Sequence, residues 1–246
     1  MASVAFIDRE EFLTDYWVYT PGQHLAILGP TDYGKTYLCH QLLKHTATPH
    51  LPAAELVRKP RDKEVTKWAR ESGFRVVQQW PPPLPTKVEQ VRPPGWIVWP
   101  KHRMNPRQDD PAHAHVFRNA ILANYAAGDK GRRQRGRIIV ADEMMGLVDI
   151  GLKPECVTVL TMGRTMPAGM WCCTQRPRNV PMEVYSQTQH LFLGFNADSQ
   201  DRKRYAEIGG VDPKLVFETV ANLNWHEWLY IKRKGRHGSE LAIIGK

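Results

Sequence analysis

The sequence predicts an α/β fold with a mainly parallel sheet, and three observations carry that expectation. Short apolar runs of strand length alternate with amphipathic stretches over most of the chain. The run Arg137-Ile-Ile-Val-Ala-Asp142 is apolar at its four inner positions, as in a strand covered on both faces. A glycine-bearing turn at 29–36 sits between a strand candidate and a helix candidate. With 246 residues, 42 % of them hydrophobic, the chain can bury a sizeable core and is expected to form one domain over 1–246.

Residues 24–29 read as a short buried strand, and 35–45 carry Tyr37, Leu38 and Leu42 at helical spacing. A second strand is expected at 55–59, stopped by Pro60. Residues 63–72 are helical in character with Gly73 suited to the C-terminal cap, and 74–78 form another strand. Nine of the nineteen prolines fall between 80 and 111, where only 95–99 reads as a strand. This is an irregular excursion within the domain, because strands resume on both sides. A helix over 113–127 holds Val116, Phe117, Ile121, Leu122 and Tyr125, and a polar loop follows at 128–136. After the strand at 137–142 come a helix at 154–164, strands at 170–174 and 190–194, and helices at 198–208 and 213–222. Asp212 is the expected N-cap of the last helix, with Pro213 in its first turn. The tail, 225–246, reads as a β-hairpin with strands at 227–232 and 240–244. No internal repeat is visible.

Composition excludes several classes. Eight Trp, eight Tyr and seven Phe are too many bulky apolar groups for a disordered chain. No apolar run approaches the ~18–20 residues of a membrane helix. Asp8, Arg9, Glu10 and Glu11 follow the first residues closely, so no signal peptide is expected. The four cysteines show no Cys-x-x-Cys spacing, which argues against a zinc site or a disulfide framework and for a reducing, cytoplasmic setting. The net charge of +9 permits an anionic partner.

Gly29-Pro30-Thr31-Asp32-Tyr33-Gly34-Lys35-Thr36 matches Gly-x-x-x-x-Gly-Lys-Ser/Thr at every fixed position. In such a loop the amides turn inward around phosphates, and Gly29 and Gly34 allow the tight path. Lys35 can reach the β- and γ-phosphates, and the Thr36 hydroxyl can join a Mg²⁺ shell. The helix behind it directs a partial positive charge at the same anion. Downstream, the apolar run 138–141 leads into Asp142-Glu143. An Asp at the end of a buried strand can hold the metal shell, and the following Glu can polarise an attacking water as general base. No Asn-Lys-x-Asp tetrad for guanine and no Leu-Ser-Gly-Gly-Gln-like transporter signature occurs. The acidic pair favours attack by water over attack by a substrate hydroxyl.

The third element is Gly163-Arg-Thr-Met-Pro-Ala-Gly-Met-Trp-Cys-Cys-Thr-Gln-Arg-Pro177. Gln175, at the end of its strand, has one donor and one acceptor end and can sense the γ-phosphate or the lytic water. A helix closing in an arginine turn, then a strand ending Thr174-Gln175-Arg176-Pro177, resembles the FtsK/HerA family of DNA-translocating ATPases. The resemblance spans about 24–195 through three motifs in the right order; the proline-rich segment and the hairpin lie outside it. It implies a RecA/FtsK-like, three-layer P-loop NTPase, with ATP and Mg²⁺ as ligands and a homo-oligomeric ring acting on double-stranded DNA through its backbone. Arg164 is then a candidate arginine finger for a neighbouring subunit's ATP, with Arg176 and Arg178 as rivals. The small size is most similar to the genome-packaging ATPases of double-stranded DNA bacteriophages, as is the stretch 57–62. Capsid vertex or portal proteins would then be partners, and host cytoplasm or virion the location. A plasmid or chromosome translocase, or an ATP-dependent scaffold that moves no DNA, stays open.

Residues 101–137 contain nine Lys or Arg against three Asp or Glu, peaking at Lys130, Arg132, Arg133 and Arg135. These are candidate DNA-backbone contacts, with residues 232–237 a second basic cluster. Trp17, Trp96, Trp99, Trp225 and Trp228 read as core and subunit packing. Adenine recognition is unassigned, although Tyr16, Trp17 and Tyr19 lie just upstream of the loop.

Overall fold

Strands that bury every side chain set the architecture. β2 (Leu25–Leu28), β3 (Ala53–Leu56), β7 (Ala168–Thr174) and β8 (His190–Gly194) expose nothing on either face, as parallel strands sandwiched between helices do. A computed structural model describes residues 4–83, 92–128, 136–177, 180–234 and 239–245. Its remaining strands are β1 (Ala5–Ile7), β4 (Arg75–Val77), β5 (Gly95–Val98), β6 (Arg137–Ala141), β9 (Trp228–Arg233) and β10 (Ser239–Ile244). All ten join one sheet in the order β1-β10-β9-β8-β2-β7-β6-β3-β5-β4. Among the described residues, β9 alone runs against the rest.

The helices are α1 (Arg9–Glu11, continued by a π-helical turn at Phe12–Tyr16), α2 (Lys35–Thr46), α3 (Lys63–Glu71), α4 (Pro106–Ala127), α5 (Met144–Asp149), α6 (Lys153–Met162), α7 (Glu183–Ser186), α8 (Ser199–Gly209) and α9 (Pro213–Asn222). Alternation along the strands divides the core into two layers. Leu25, Ile27, Trp171 and Cys173 pack with Phe12, Leu38, Leu42 and Trp68 on one face. Ala26, Leu28, Met170 and Cys172 pack with Phe117, Ile121, Val159 and Val216 on the other. Three layers result, as expected. Each large side chain buried this way, such as Leu25 or Phe192, contributes about 1.5–3 kcal/mol. No helix among the described residues is long and apolar enough to cross a membrane. All four cysteines are buried free thiols.

Several boundaries differ from expectation. The second strand ends at Leu56, not Lys59, because Arg58 and Lys59 leave the sheet for polar partners. The helix expected over 113–127 begins at Pro106, capped by Asn105 and running through Pro111. Its opening turns hide among the prolines: Pro106 stands where no helical N–H is needed, and Pro111, inside the helix, forgoes one backbone bond. β1, the turn of α1, α5 and α7 carry too little periodicity to be read. The hairpin strands are β9 and β10, and they extend the main sheet instead of forming an appendage. Asp212 caps α9 as expected, accepting from the Lys214 amide. The candidate DNA contacts Lys130, Arg132, Arg133 and Arg135, the rival Arg178 and the hairpin tip at 235–238 lie outside the described residues.

Because β2, β3, β6 and β7 are parallel, their carboxyl ends share one edge. Leu28 pairs with Thr174, Ala141 with Cys172, and Leu56 with Ala141. The segments at 29–34, 57–62, 142–143 and 175–177 therefore meet there, where open α/β sheets place their ligands.

Candidate active site

The loop at 29–36 follows β2 directly and feeds α2. Gly34 takes φ +88°, the left-handed conformation that a side chain resists. The N-termini of α3, α4, α8 and α9 are closed by side-chain caps from Asp62, Asn105, Asp198 and Asp212. α2 has no side-chain cap, so its first-turn amides remain donors for an anion. Lys35 is buried and donates to Gly29 O at 2.9 Å and Pro30 O at 2.8 Å, which keeps its ammonium inside the loop. Burial lowers its pKa. Thr31 and Asp32 are exposed, Asp32 at φ +60°. Tyr33 turns inward with no exposed surface, so it offers a phosphate only its backbone.

Thr36 donates from Oγ1 to Asp142 Oδ1 at 2.8 Å, which joins the first motif to the second. Asp142 is 3 % exposed. A buried carboxylate needs a cation or donors, and Lys59 supplies one: its Nζ lies 2.9 Å from Asp142 Oδ2 and 2.9 Å from Asp62 Oδ2. Burial works against the Lys59 charge, but the two carboxylates overcome it and raise its pKa. Sequence reasoning missed Lys59. The lone signal was its place three residues before an N-cap aspartate, which becomes visible only once the strand is known to end at Leu56.

Glu143 stands at the entrance of α5, and burial raises its pKa against the opposing pull of Lys35. Gln175 leaves β7, and its Oε1 accepts from Thr31 Oγ1 at 3.0 Å, so the third motif touches the first. A cavity of about 460 Å³ opens beside these groups, lined by Arg58, Lys59, His102, Asp110, Glu143 and Gln175. Arg58 is held there by Asp110 at 2.7 Å.

Hard oxygen donors from Thr36 and Asp142, beside a loop with inward ammonium and uncapped helix amides, fit Mg²⁺ with a triphosphate. Arg164 is not brought to this cluster. It is exposed in the turn between α6 and β7, at the opposite edge of the sheet. The seven residues of β7 separate it from Gln175, roughly 20 Å at strand rise. Arg176 does share the edge of the loop. Trp17 and Tyr19, just upstream of the loop in sequence, also lie at the opposite edge. Trp17 Nε1 donates to Thr46 at the far end of α2, and the Tyr19 hydroxyl donates to Gln23 O. The reason is topological: residues entering β2 and residues leaving it are a strand length apart. Trp17 and Trp228 are core, whereas Trp225 is 47 % exposed.

No family model matches the chain, and no curated protein matches it. Solved structures do. The bacterial conjugative coupling protein TrwBΔN70 matches with a TM-score of 0.61 at 11 % identity, over 98 % of this chain and 92 % of that one. The genome packaging NTPase B204 of Sulfolobus turreted icosahedral virus 2, in complex with AMP, matches with a TM-score of 0.58 at 13 % identity, over 91 % and 98 %. The chain has the fold of FtsK/HerA-type P-loop ATPases. The P-loop ATPase fold takes in nearly the whole chain, beyond the 24–195 span of the sequence resemblance, and so includes the C-terminal strands. The cytoplasmic domain of the Thermomonospora curvata type VII secretion ATPase EccC matches too, with a TM-score of 0.53 at 16 % identity, over 89 % of this chain and 25 % of that one.

Proposed function

We propose that this chain hydrolyses Mg-ATP and uses the energy to move double-stranded DNA as a ring, most concretely to package a viral genome. The observation that carries the hydrolytic reading is the 2.8 Å bond from Thr36 to Asp142, which unites the loop with the acidic strand end. Thr36 and Asp142 would hold Mg²⁺, which would supply charge neutralisation to the phosphates. Lys35 holds the β- and γ-phosphates, and α2 presents its amides to them. Glu143, made more basic by burial, takes the proton of the attacking water. Gln175, tethered to Thr31, orients that water or reports the γ-phosphate. Arg164, a sheet's length from its own loop, serves a neighbour's nucleotide across a ring interface, where a guanidinium stabilises the transferring phosphoryl group.

DNA movement rests on the likeness to B204, which packages a genome, and on the basic segments around Lys130, Arg132, Arg133 and Arg135 and around 232–237. Capsid vertex or portal proteins are the partners of such a motor, in host cytoplasm or virion. The TrwBΔN70 likeness, at the higher TM-score, favours a second reading in which the same motor serves conjugation. One experiment tests the shared core: ATPase rate with and without duplex DNA, over a salt series, alongside native mass. Stimulation that falls steeply with salt in an oligomer supports the motor. A DNA-indifferent rate leaves an ATP-dependent scaffold instead.

A further inference from the structure

We propose that Trp225 is the platform on which the purine base of the bound nucleoside triphosphate stacks. This rests on the nucleotide reading of the loop at 29–36.

Strand order gives the direction of the ligand. Glu143 leaves β6 and Gln175 leaves β7, both on one side of β2, so the γ-phosphate end lies there. The loop amides hold the α- and β-phosphates further along, and the base projects to the other side, toward β8 and β9. The turn that enters β9, residues 224–227, packs on the loop at that side. The Tyr33 hydroxyl lies 2.8 Å from Asn224 O and 2.7 Å from Glu227 O and donates its one proton to either. His226 Nδ1 lies 3.0 Å from Tyr33 O, and the Arg9 guanidinium donates to His226 O.

Trp225 stands on this turn, its ring edge-on to Tyr33 with centroids 5.0 Å apart. It remains 47 % exposed although its backbone is locked. The Asn224 amide donates to Glu227 Oε2 at 2.8 Å and the Asn224 side chain to Oε1 at 2.9 Å, while His226 holds φ +72°. A large ring presented by a rigid turn at the base end of a phosphate loop is suited to stacking on a π-face. Asn224 and Glu227 are occupied with one another, so the platform reads ring size more than base edge. It favours ATP and GTP alike over CTP.

The test titrates the full chain, in Mg²⁺, with ATP and with inorganic tripolyphosphate, which has no base. Trp225→Ala and Trp225→Leu should each weaken ATP about tenfold or more and leave tripolyphosphate within about twofold, and Trp225→Phe should keep most of the ATP affinity. Unchanged ATP affinity in both truncations, or equal losses for both ligands, overturns the platform. So does tripolyphosphate binding as tightly as ATP to the unaltered chain. If the unaltered chain binds neither ligand, the nucleotide reading falls, and the platform with it.

Discussion

The ammonium of Lys59 lies 2.9 Å from Oδ2 of Asp142, the carboxylate whose other oxygen accepts the Thr36 hydroxyl. A lysine thus occupies one oxygen of the residue assigned to the metal. Asp62 fixes that lysine while capping α3 through the Glu64 and Val65 amides. Under the proposed function, metal binding would draw on the same carboxylate as this ion pair.

Lys59→Met should therefore act in opposite directions with and without Mg²⁺. Without it, a buried carboxylate loses its cation, and stability should fall by about 1–3 kcal/mol. That is below the usual cost of breaking a buried pair, since Lys59 is partly solvated. With it, the variant should gain more in melting temperature than the parent chain does. Identical melting shifts in the two chains would show that metal and lysine do not share Asp142.

Glu143→Gln should reduce kcat about 10²–10⁴-fold while ATP binding persists; Lys35→Ala should abolish turnover as well. Because burial raises the Glu143 pKa, the acid limb of the kcat–pH profile should lie above the ordinary glutamate range. Turnover by Glu143→Gln within about tenfold of the parent would remove Glu143 as the base.

Arg164→Ala subunits retain a complete loop and acidic pair, and Asp142→Asn subunits retain the arginine. Each alone should be inactive, the first by about 10³-fold or more. Mixed rings should recover activity wherever an intact arginine faces an intact pocket. A mixture that assembles and stays silent argues for Arg176 or for another source of charge.

Stability should decline on mild acidification. Burial first, then the charge of Arg164, lowers the His24 pKa to about 4. Burial, with Lys232, lowers that of His190 to about 3. Both rings are neutral in the folded chain, so as pH falls below about 6.5 the unfolded chain takes up protons first. Stability is full above that pH and declines toward about 4 and 3. Melting temperatures between pH 8 and 4.5 should show the decline, and His190→Gln should flatten part of it. A flat profile for the unaltered chain contradicts this.

The meeting of three of the motifs was legible because each follows a continuous apolar strand, and strand ends in a parallel sheet share an edge. Gly29, Thr36, Asp142 and Gln175 could be placed together before any geometry. Lys59 could not, because its role depends on β3 stopping at Leu56, a boundary that apolar runs locate only to within a few residues. Adenine recognition stayed unassigned for a related reason: Trp17 and Tyr19, close to the loop in sequence, stand a strand length from it in space. Trp225 was read as packing because a lone tryptophan between a helix and a strand carries no pattern. Only the partnering of Tyr33 with Asn224 and Glu227 brings it to the loop.

The single reversed strand has a mechanical consequence. β9 starts beside the phosphate loop at Trp228 and finishes at Arg233, level with Gln189 before β8. Lys234, Gly128 and Gly136 thus stand at the far rim. The Arg164 turn belongs to that rim too: a Cβ on Gly128 would lie 1.5 Å from Met166 O. The phosphate loop and the Arg164 turn thus stand on opposite banks of the same strands, and any signal passing between them must run lengthwise through the middle of the sheet.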